Sequence, residues 1–299
     1  GVGKTKIALL LTDFISKYFR DKRVLFIDLD PTAGASLLLM EDNAFTDLCR
    51  DKKTLTDMLI SFQDGKPINV ENYITRVRIY HRPIDFLVPG ENPEDLMFQM
   101  DRLWDSPEPG ELFSSFLKEG GVDSYYDVVV IDTIPFFIKR YTSLASYIAD
   151  RSFIVMRPSL IDIRRTRKML NEKILKIRPS NSYIIFNMAD SRVRAGFALV
   201  QYYADEDFIR KSKDSIYKPS KEVEKRFETL KKEMDMLVGL NRATVLGIYL
   251  KRSTFIDEFP YRKGIEYEKL KATNIDELRE IKGNITNFLR RLVEVSGLG

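Results

Sequence analysis

Gly1-Val2-Gly3-Lys4-Thr5-Lys6-Ile7-Ala8-Leu9-Leu10-Leu11 opens the chain, and its reading decides the fold. Two glycines, a lysine and a hydroxyl residue lead straight into apolar positions Ile7, Leu10, Leu11, Phe14, Ile15 and Tyr18. That is the i, i+3, i+4, i+7 spacing of one helix face. A glycine turn feeding a helix suits phosphate, because backbone N–H groups close on its oxygens and the helix N-terminus adds partial positive charge. Gly1 to Thr5 match the end of the pattern G-x-x-x-x-G-K-[ST]. In that pattern the lysine reaches terminal phosphates and the hydroxyl ligates Mg²⁺. An ordinary glycine-rich turn before a helix has the same five-residue outline. The chain starts on Gly1 rather than Met, and we read it as beginning inside a longer protein, with the first strand and first glycine of the pattern upstream.

Outward from this turn, Arg20-Asp21-Lys22-Arg23 leads to Val24-Leu25-Phe26-Ile27-Asp28, a short apolar run ending in acid, as a buried parallel strand does. Similar runs are Asp85 to Val88, Val128 to Asp132, Phe153 to Met156, Tyr183 to Phe186 and Val245 to Tyr249. Helical patterns separate most of them, among them Leu112 to Leu117, Ile161 to Leu175 and Ile275 to Val295. Alternation of this kind predicts an α/β fold with a mostly parallel, twisted sheet and helices on both faces. We expect one domain over 1–299. Residues 91–120, with Pro93, Pro107, Pro109 and Gly110, read as loop and helix on the surface, and 197–240 as a charged helical insertion.

Two acidic turns sharpen the reading. Asp28-Leu29-Asp30-Pro31 and Asp132-Thr133-Ile134-Pro135 each close an apolar strand. Ligands of open parallel sheets sit outside the carboxyl ends of the strands, so both turns should converge on the edge that carries Lys4 and Thr5. Taken singly, either Asp reads equally as a turn or helix cap.

Composition excludes several other chemistries. The chain has 299 residues, 44% hydrophobic and 31% charged, enough to bury a sizeable core. The net charge of +4 is too small to argue for an anionic partner by itself, although the Lys/Arg surplus sits in the C-terminal third. One cysteine, Cys49, rules out an internal disulfide or a multi-thiolate metal site, and one histidine, His81, rules out a histidine-rich one. Cys49 reads as a small residue in or beside a helix. No run of about 18 apolar residues or secretory signal is visible, so we expect a cytoplasmic protein without a membrane span. The many aromatics, including Phe14 and Tyr18, read as core rather than as base-stacking platforms.

Gly1 to Thr5, Val24 to Pro31 and Tyr126 to Thr133 together resemble the ParA/MinD family of deviant Walker-type P-loop ATPases, with the ParA partition ATPases the better match. Asn187-Met188-Ala189-Asp190-Ser191-Arg192-Val193-Arg194 resembles their segment after a strand, and Val245 to Arg252 with Glu258, Gly264 and Ile265 is similar to their late strand and loop. The resemblance covers most of the chain and is weakest over 40–120 and 197–240. It implies a P-loop NTPase that binds ATP with Mg²⁺, pairs face to face as an ATP-dependent homodimer, and hydrolyses slowly under stimulation by a partner.

By position, the resemblance makes Gly1, Val2, Gly3, Lys4, Thr5 and Lys6 the phosphate loop, with Thr5, Asp28 and Asp132 around the metal. Lys4, Asp30 and Asp132 serve turnover, Asp30 orienting the attacking water, and Asn187 contacts adenine. The family's second lysine would lie upstream of Gly1 and has no counterpart here. A ParA-type reading adds non-specific DNA binding, a ParB-like centromere-binding partner and association with the nucleoid. Arg192, Arg194 and Arg252 are the expected DNA contacts. Arg164-Arg165-Thr166-Arg167-Lys168 stands open between DNA and dimer contact. Glu222, Glu224, Glu228 and Glu233 interleave with the lysines around them, so a solvated mixed-charge surface is the competing account there. A MinD-like membrane-associated ATPase is the alternative, and would use Asn287 to Val293 as an amphipathic helix. That stretch also reads as a packed final core helix. The nitrogenase iron protein and iron–sulfur carriers are excluded, since they need paired cysteines.

Overall fold

Strand β1 (Val24–Asp28) is buried at every position, so both of its faces are covered. The computed structural model describes residues 2–134, 139–171, 181–253, 256 and 275–298. Gly1, Pro135, the helical pattern beyond 171, Glu258, Gly264 and Ile265 lie outside these residues. The chain forms two compact units, Lys4–Ile148 and Gly1–Gly3 with Ala149–Gly299.

In the first unit, α1 (Lys4–Tyr18) precedes β1. Then come α2 (Gly34–Leu39), α3 (Asp42–Arg50), α4 (Leu55–Gln63), β2 (Thr75–Arg78), β3 (Pro83–Leu87), α5 (Pro93–Trp104), α6 (Pro109–Glu119), α7 (Val122–Tyr125), β4 (Val128–Asp132) and α8 (Lys139–Ile148). The sheet order is β2-β3-β1-β4. β1 runs parallel to β3 and β4, while β2 is antiparallel to β3. No strand is expected at Thr75–Arg78 from the sequence. Only Val77 there is buried, as suits an edge strand that turns its arginines to water. Leu25 and Ile27 enter a core with Leu59, Met100, Phe113 and Phe116, and the intervening Phe26 stacks on Phe86 at 5.0 Å. Each such side chain stabilises by about 1.5–3 kcal/mol.

Three expectations are corrected here. Residues 91–120 are not a surface segment, because Leu96, Met100, Leu103, Phe113 and Phe116 of α5 and α6 are buried. Pro93 and Pro109 occupy first-turn helix positions, where a missing N–H costs nothing, so they start helices rather than mark loops. Tyr18 is not core; it is 55% exposed, and its ring lies against Phe14 at 4.5 Å. Cys49 lies in α3 as a half-buried free thiol.

The second unit contains β5 (Ser152–Met156), α9 (Leu160–Leu170), β6 (Ser182–Ala189), α10 (Arg194–Tyr203), α11 (Glu206–Lys211), α12 (Lys221–Val238), β7 (Thr244–Lys251) and α13 (Ile275–Val295). Its sheet is β5-β6-β7, parallel throughout. Three helices thus occupy the charged segment between β6 and β7. Gly247 carries φ +74°, and its carbonyl accepts from Asp205 N–H at 2.9 Å. An added Cβ would lie 3.1 Å from that nitrogen, so the close approach needs glycine. In α13, Asn284 accepts from Lys251 N–H at 3.0 Å and donates to the Tyr249 carbonyl at 3.2 Å, which fastens the helix to β7. Ile285, Phe288, Leu289, Leu292 and Val293 are buried, so the stretch weighed as a membrane helix packs its apolar side within its own unit. No helix among the described residues is long and apolar enough to cross a membrane.

Candidate functional site

Helix α1 begins at Lys4, and its first turn holds Thr5 and Lys6, all three half-buried. Parallel pairing of β1 and β4 makes Asp28 and Asp132 register partners at the carboxyl ends of their strands. The Leu29 N–H reaches the Asp132 carbonyl at 2.9 Å and extends the ladder past both. Asp28 is fully buried and saturated. One carboxylate oxygen accepts from Ser36 N–H at 3.0 Å and Ser36 Oγ at 2.8 Å, the other from Asp30 N–H at 3.3 Å. Burial and the neighbouring Asp132 charge push its pKa up to about 7, against the pull of those donors. Asp28 therefore ties the start of α2 to the end of β1.

Asp30 caps the turn that follows. Its Oδ1 accepts from Thr32 N–H at 2.9 Å and Thr32 Oγ1 at 2.7 Å, and its carbonyl accepts from Ala33 N–H at 2.9 Å. Ala33 takes a left-handed conformation, φ 55°, to enter α2. Its methyl is the smallest side chain that can do so.

Asp132 differs from Asp28. It is 2% exposed, and burial pushes it up to about 6, although the Thr5 hydroxyl hydrogen bond and the Lys4 charge pull the other way. Its Oδ2 is buried with no hydrogen-bond partner among the described residues. Burial depresses Lys4 below the usual lysine range, partly offset by Asp132 and Asp30. A desolvated ammonium is relieved by an anion, and an orphaned buried carboxylate oxygen by a cation. The cluster Lys4, Thr5, Asp30 and Asp132 thus fits a ligand that carries both. Among the described residues no three His, Cys, Asp or Glu side chains gather as a metal cage. A cation beside Thr5 and Asp132 would need oxygens from its own ligand or from water.

In the second unit, Gly3 and Asn187 meet. Gly3 has φ +83°, and a Cβ there would lie 2.4 Å from Asn187 Nδ2. Asn187 is 1% exposed at the end of β6, donates to the Val2 carbonyl at 2.8 Å and accepts from Met188 N–H at 2.8 Å. Both polar ends of this side chain are therefore engaged within the chain, and nothing in the sequence pattern signals that link from β6 to the opening turn. Gly3→Ala combines left-handed strain with a clash. We expect a loss of about 1–3 kcal/mol, read as a lower melting temperature. A melt identical to the unmodified chain would contradict the geometry.

The basic candidates differ in environment. Arg192 pairs with Asp190, Nη2 to Oδ2 at 2.7 Å and Nε to Oδ1 at 2.9 Å, and these bonds hold Asp190 down to about 2. Arg194 is exposed at the start of α10. Arg252 is exposed just after β7, and its N–H reaches the Ala189 carbonyl at 3.0 Å. Arg164 and Arg167 of α9 both pair with Glu233 of α12, at 2.7 Å and 2.9 Å, and so fasten the helical segment to α9.

The sequence matches the AAA_31 family model, described as an AAA domain, over residues 1–184. No curated protein matches it. Similar solved structures include an ATP complex of a Cyanothece McdA variant, 14% identical, spanning 100% of this chain and 93% of that one with a TM-score of 0.62. A ParA family ATPase from Chlorobium tepidum TLS is 14% identical over 98% and 94%, TM-score 0.55. A MinC:MinD cell division complex from Aquifex aeolicus is 15% identical over 98% and 92%, TM-score 0.53. With a family match over more than half of its length and this likeness in fold, the chain belongs to the AAA-domain family and has the α/β P-loop fold of the ParA/MinD ATPases.

Proposed function

We propose that the protein is a ParA-type ATPase of DNA partition, which dimerises on ATP and then holds DNA without sequence preference. The observation that carries the nucleotide part is the buried Oδ2 of Asp132, without a hydrogen-bond partner among the described residues, in a carboxylate that meets the Thr5 hydroxyl and the partly desolvated Lys4. Gly1 to Lys6 would cradle the phosphates of ATP, with Lys4 on the terminal ones. Thr5 and Asp132 would hold Mg²⁺, which neutralises phosphate charge when bound. Asp28 would support that environment indirectly by fixing Asp30 and Ser36, and Asp30 would orient water on the last phosphate. Asn187 would shape the phosphate loop through Val2 as well as border the base. The Cyanothece and Chlorobium relatives, one crystallised with ATP and one of the ParA family, support this reading.

For DNA, exposed Arg194 is the contact we favour, with Arg192 and Arg252, both close enough to lower the Asp190 pKa, beside it. A centromere-binding, ParB-like partner would stimulate turnover, and the ATP-bound dimer would sit on the nucleoid. The deciding experiment is co-sedimentation with duplex DNA, with and without ATP, beside a liposome arm. ATP-dependent recovery with DNA alone supports the proposal, and recovery with liposomes alone would favour the MinD-like alternative. Arg194→Glu should weaken binding to all sequences alike and flatten the salt dependence by roughly 0.9 in slope for each phosphate that is no longer neutralised. An unchanged slope would move the DNA face away from Arg194.

A further inference from the structure

An open cleft of about 190 Å³ in the first unit is lined by Arg20, Lys22, Arg23, Arg76 and Arg82 with one carboxylate, Asp85. Arg23 immediately precedes β1, and Arg82 precedes β3, its parallel neighbour. The cleft therefore sits at the amino ends of these strands, opposite the end that carries Asp28 and Asp132. Five strand residues separate the two ends, roughly 17 Å at about 3.3 Å per residue.

Counting the carboxylates that pair with its lining, the cleft keeps a small positive surplus, and it falls on Arg20 and Arg82. Asp85 is shared between Arg76 at 3.2 Å and Arg23 at 3.6 Å, and also accepts from Tyr126 OH at 3.0 Å. Arg23 meets Glu71 at 3.4 Å, and Lys22 meets Asp127 at 3.6 Å and Asp21 at 3.9 Å. Arg82 Nη1 donates to the Arg20 carbonyl at 3.3 Å, and neither arginine has an acidic partner among the described residues. The Arg23 guanidinium is held over the Tyr126 ring at 5.0 Å and the Tyr125 ring at 5.7 Å, so one cation is preset in direction.

We infer that this cleft is an additional contact for the backbone phosphates of duplex DNA, an inference that rests on the DNA-binding reading above. The two arginines without an acidic partner, Arg20 and Arg82, are both exposed, so their counterions are small mobile anions. Wet, clustered cations exchange small anions for phosphates at little desolvation cost, which is how sequence-independent DNA binding gains its free energy. A pocket for a small phosphorylated ligand would instead bury its cations and saturate them with hydrogen bonds.

The test is the double variant Arg20→Glu/Arg82→Glu in the full chain, with Arg50→Glu/Lys53→Glu, at and just after the end of α3, as a control with the same change in net charge. DNA affinity with ATP is measured across salt concentrations. The double variant should bind about tenfold or more weakly at low salt, and its slope should flatten by about 2 because two phosphates are no longer neutralised. The control should keep the slope, and basal ATP turnover should not change in either. An unmodified slope in the double variant overturns the cleft while leaving the DNA-binding reading intact. Failure of the unmodified chain to bind DNA in any nucleotide state overturns that reading and the cleft with it. A saturable inorganic pyrophosphate site abolished in the double variant, with the DNA slope unchanged, would make the cleft a small-anion pocket and also overturn the inference.

Discussion

Lys4→Ala should weaken ATP binding by at least about a hundredfold, roughly 3 kcal/mol, since the missing ammonium would make more than one charge-assisted hydrogen bond to phosphate. In the folded chain Lys4 is already partly desolvated, which Asp132 and Asp30 offset only in part. Part of the desolvation cost has therefore been met on folding, which favours phosphate binding. Removal takes away the positive charge that Asp132 and Asp30 now face. On the proposed function, in which the dimer forms only with ATP, DNA retention should disappear with nucleotide binding. The apo fold should tolerate the change, because the desolvation cost of the ammonium is removed with it and Asp132, already raised to about 6, can take up a proton. Titration with a fluorescent ATP analogue beside a thermal melt checks both parts, and unchanged nucleotide affinity would refute the site assignment.

Asp30→Ala has the second largest expected effect, and it falls on turnover rather than affinity. The Asp30 Oδ1 is spent on the Thr32 turn, and Oδ2 accepts no hydrogen bond from the described residues, which leaves it available to a water molecule. Positioned bases contribute about 10²–10⁴-fold in rate, and a loss in that range is expected with ATP still bound. ATP-loaded dimer should accumulate, visible as a larger species on size exclusion and as prolonged retention on DNA. Because alanine also removes the Thr32 turn, Asp30→Asn is the companion variant. It keeps an acceptor for Thr32 and removes the charge, so a rate as low as in the alanine variant assigns the effect to the carboxylate. Normal hydrolysis in Asp30→Asn would refute the role.

Read from residues alone, the opening turn and helix, the buried parallel strands and their acidic termini were legible, because each is a local signal, while the edge strand Thr75–Arg78, with one buried residue, was not. The apolar spacing of Ile7 to Ile15 makes a helix wherever it packs, and Val24 to Asp28 or Val128 to Asp132 can be satisfied only as strands buried or bordered by other strands. The conjunction of Asp28 and Asp132 also followed, since parallel strands carry their carboxyl ends to one edge. Pro93 and Pro109 misled because proline has one local meaning in a loop and another at the first turn of a helix, and only the burial of Leu96 and Phe113 distinguishes them.

Other assignments were beyond any local signal. Asn187 lies 185 residues from Val2 in sequence, and Arg164 and Arg167 lie far from Glu233, so only the folded chain shows that these polar groups satisfy one another. Asp28 and Asp132 have the same composition and the same place on their strands. Ser36 saturates the first, and no described residue completes the second. Sequence determined the elements and the edge they share, because periodicity and strand direction are properties of the chain itself. Which carboxylate is left unsatisfied, and which arginines remain exposed, was decided by tertiary structure, because hydrogen-bond satisfaction and desolvation depend on neighbours brought together from distant parts of the sequence.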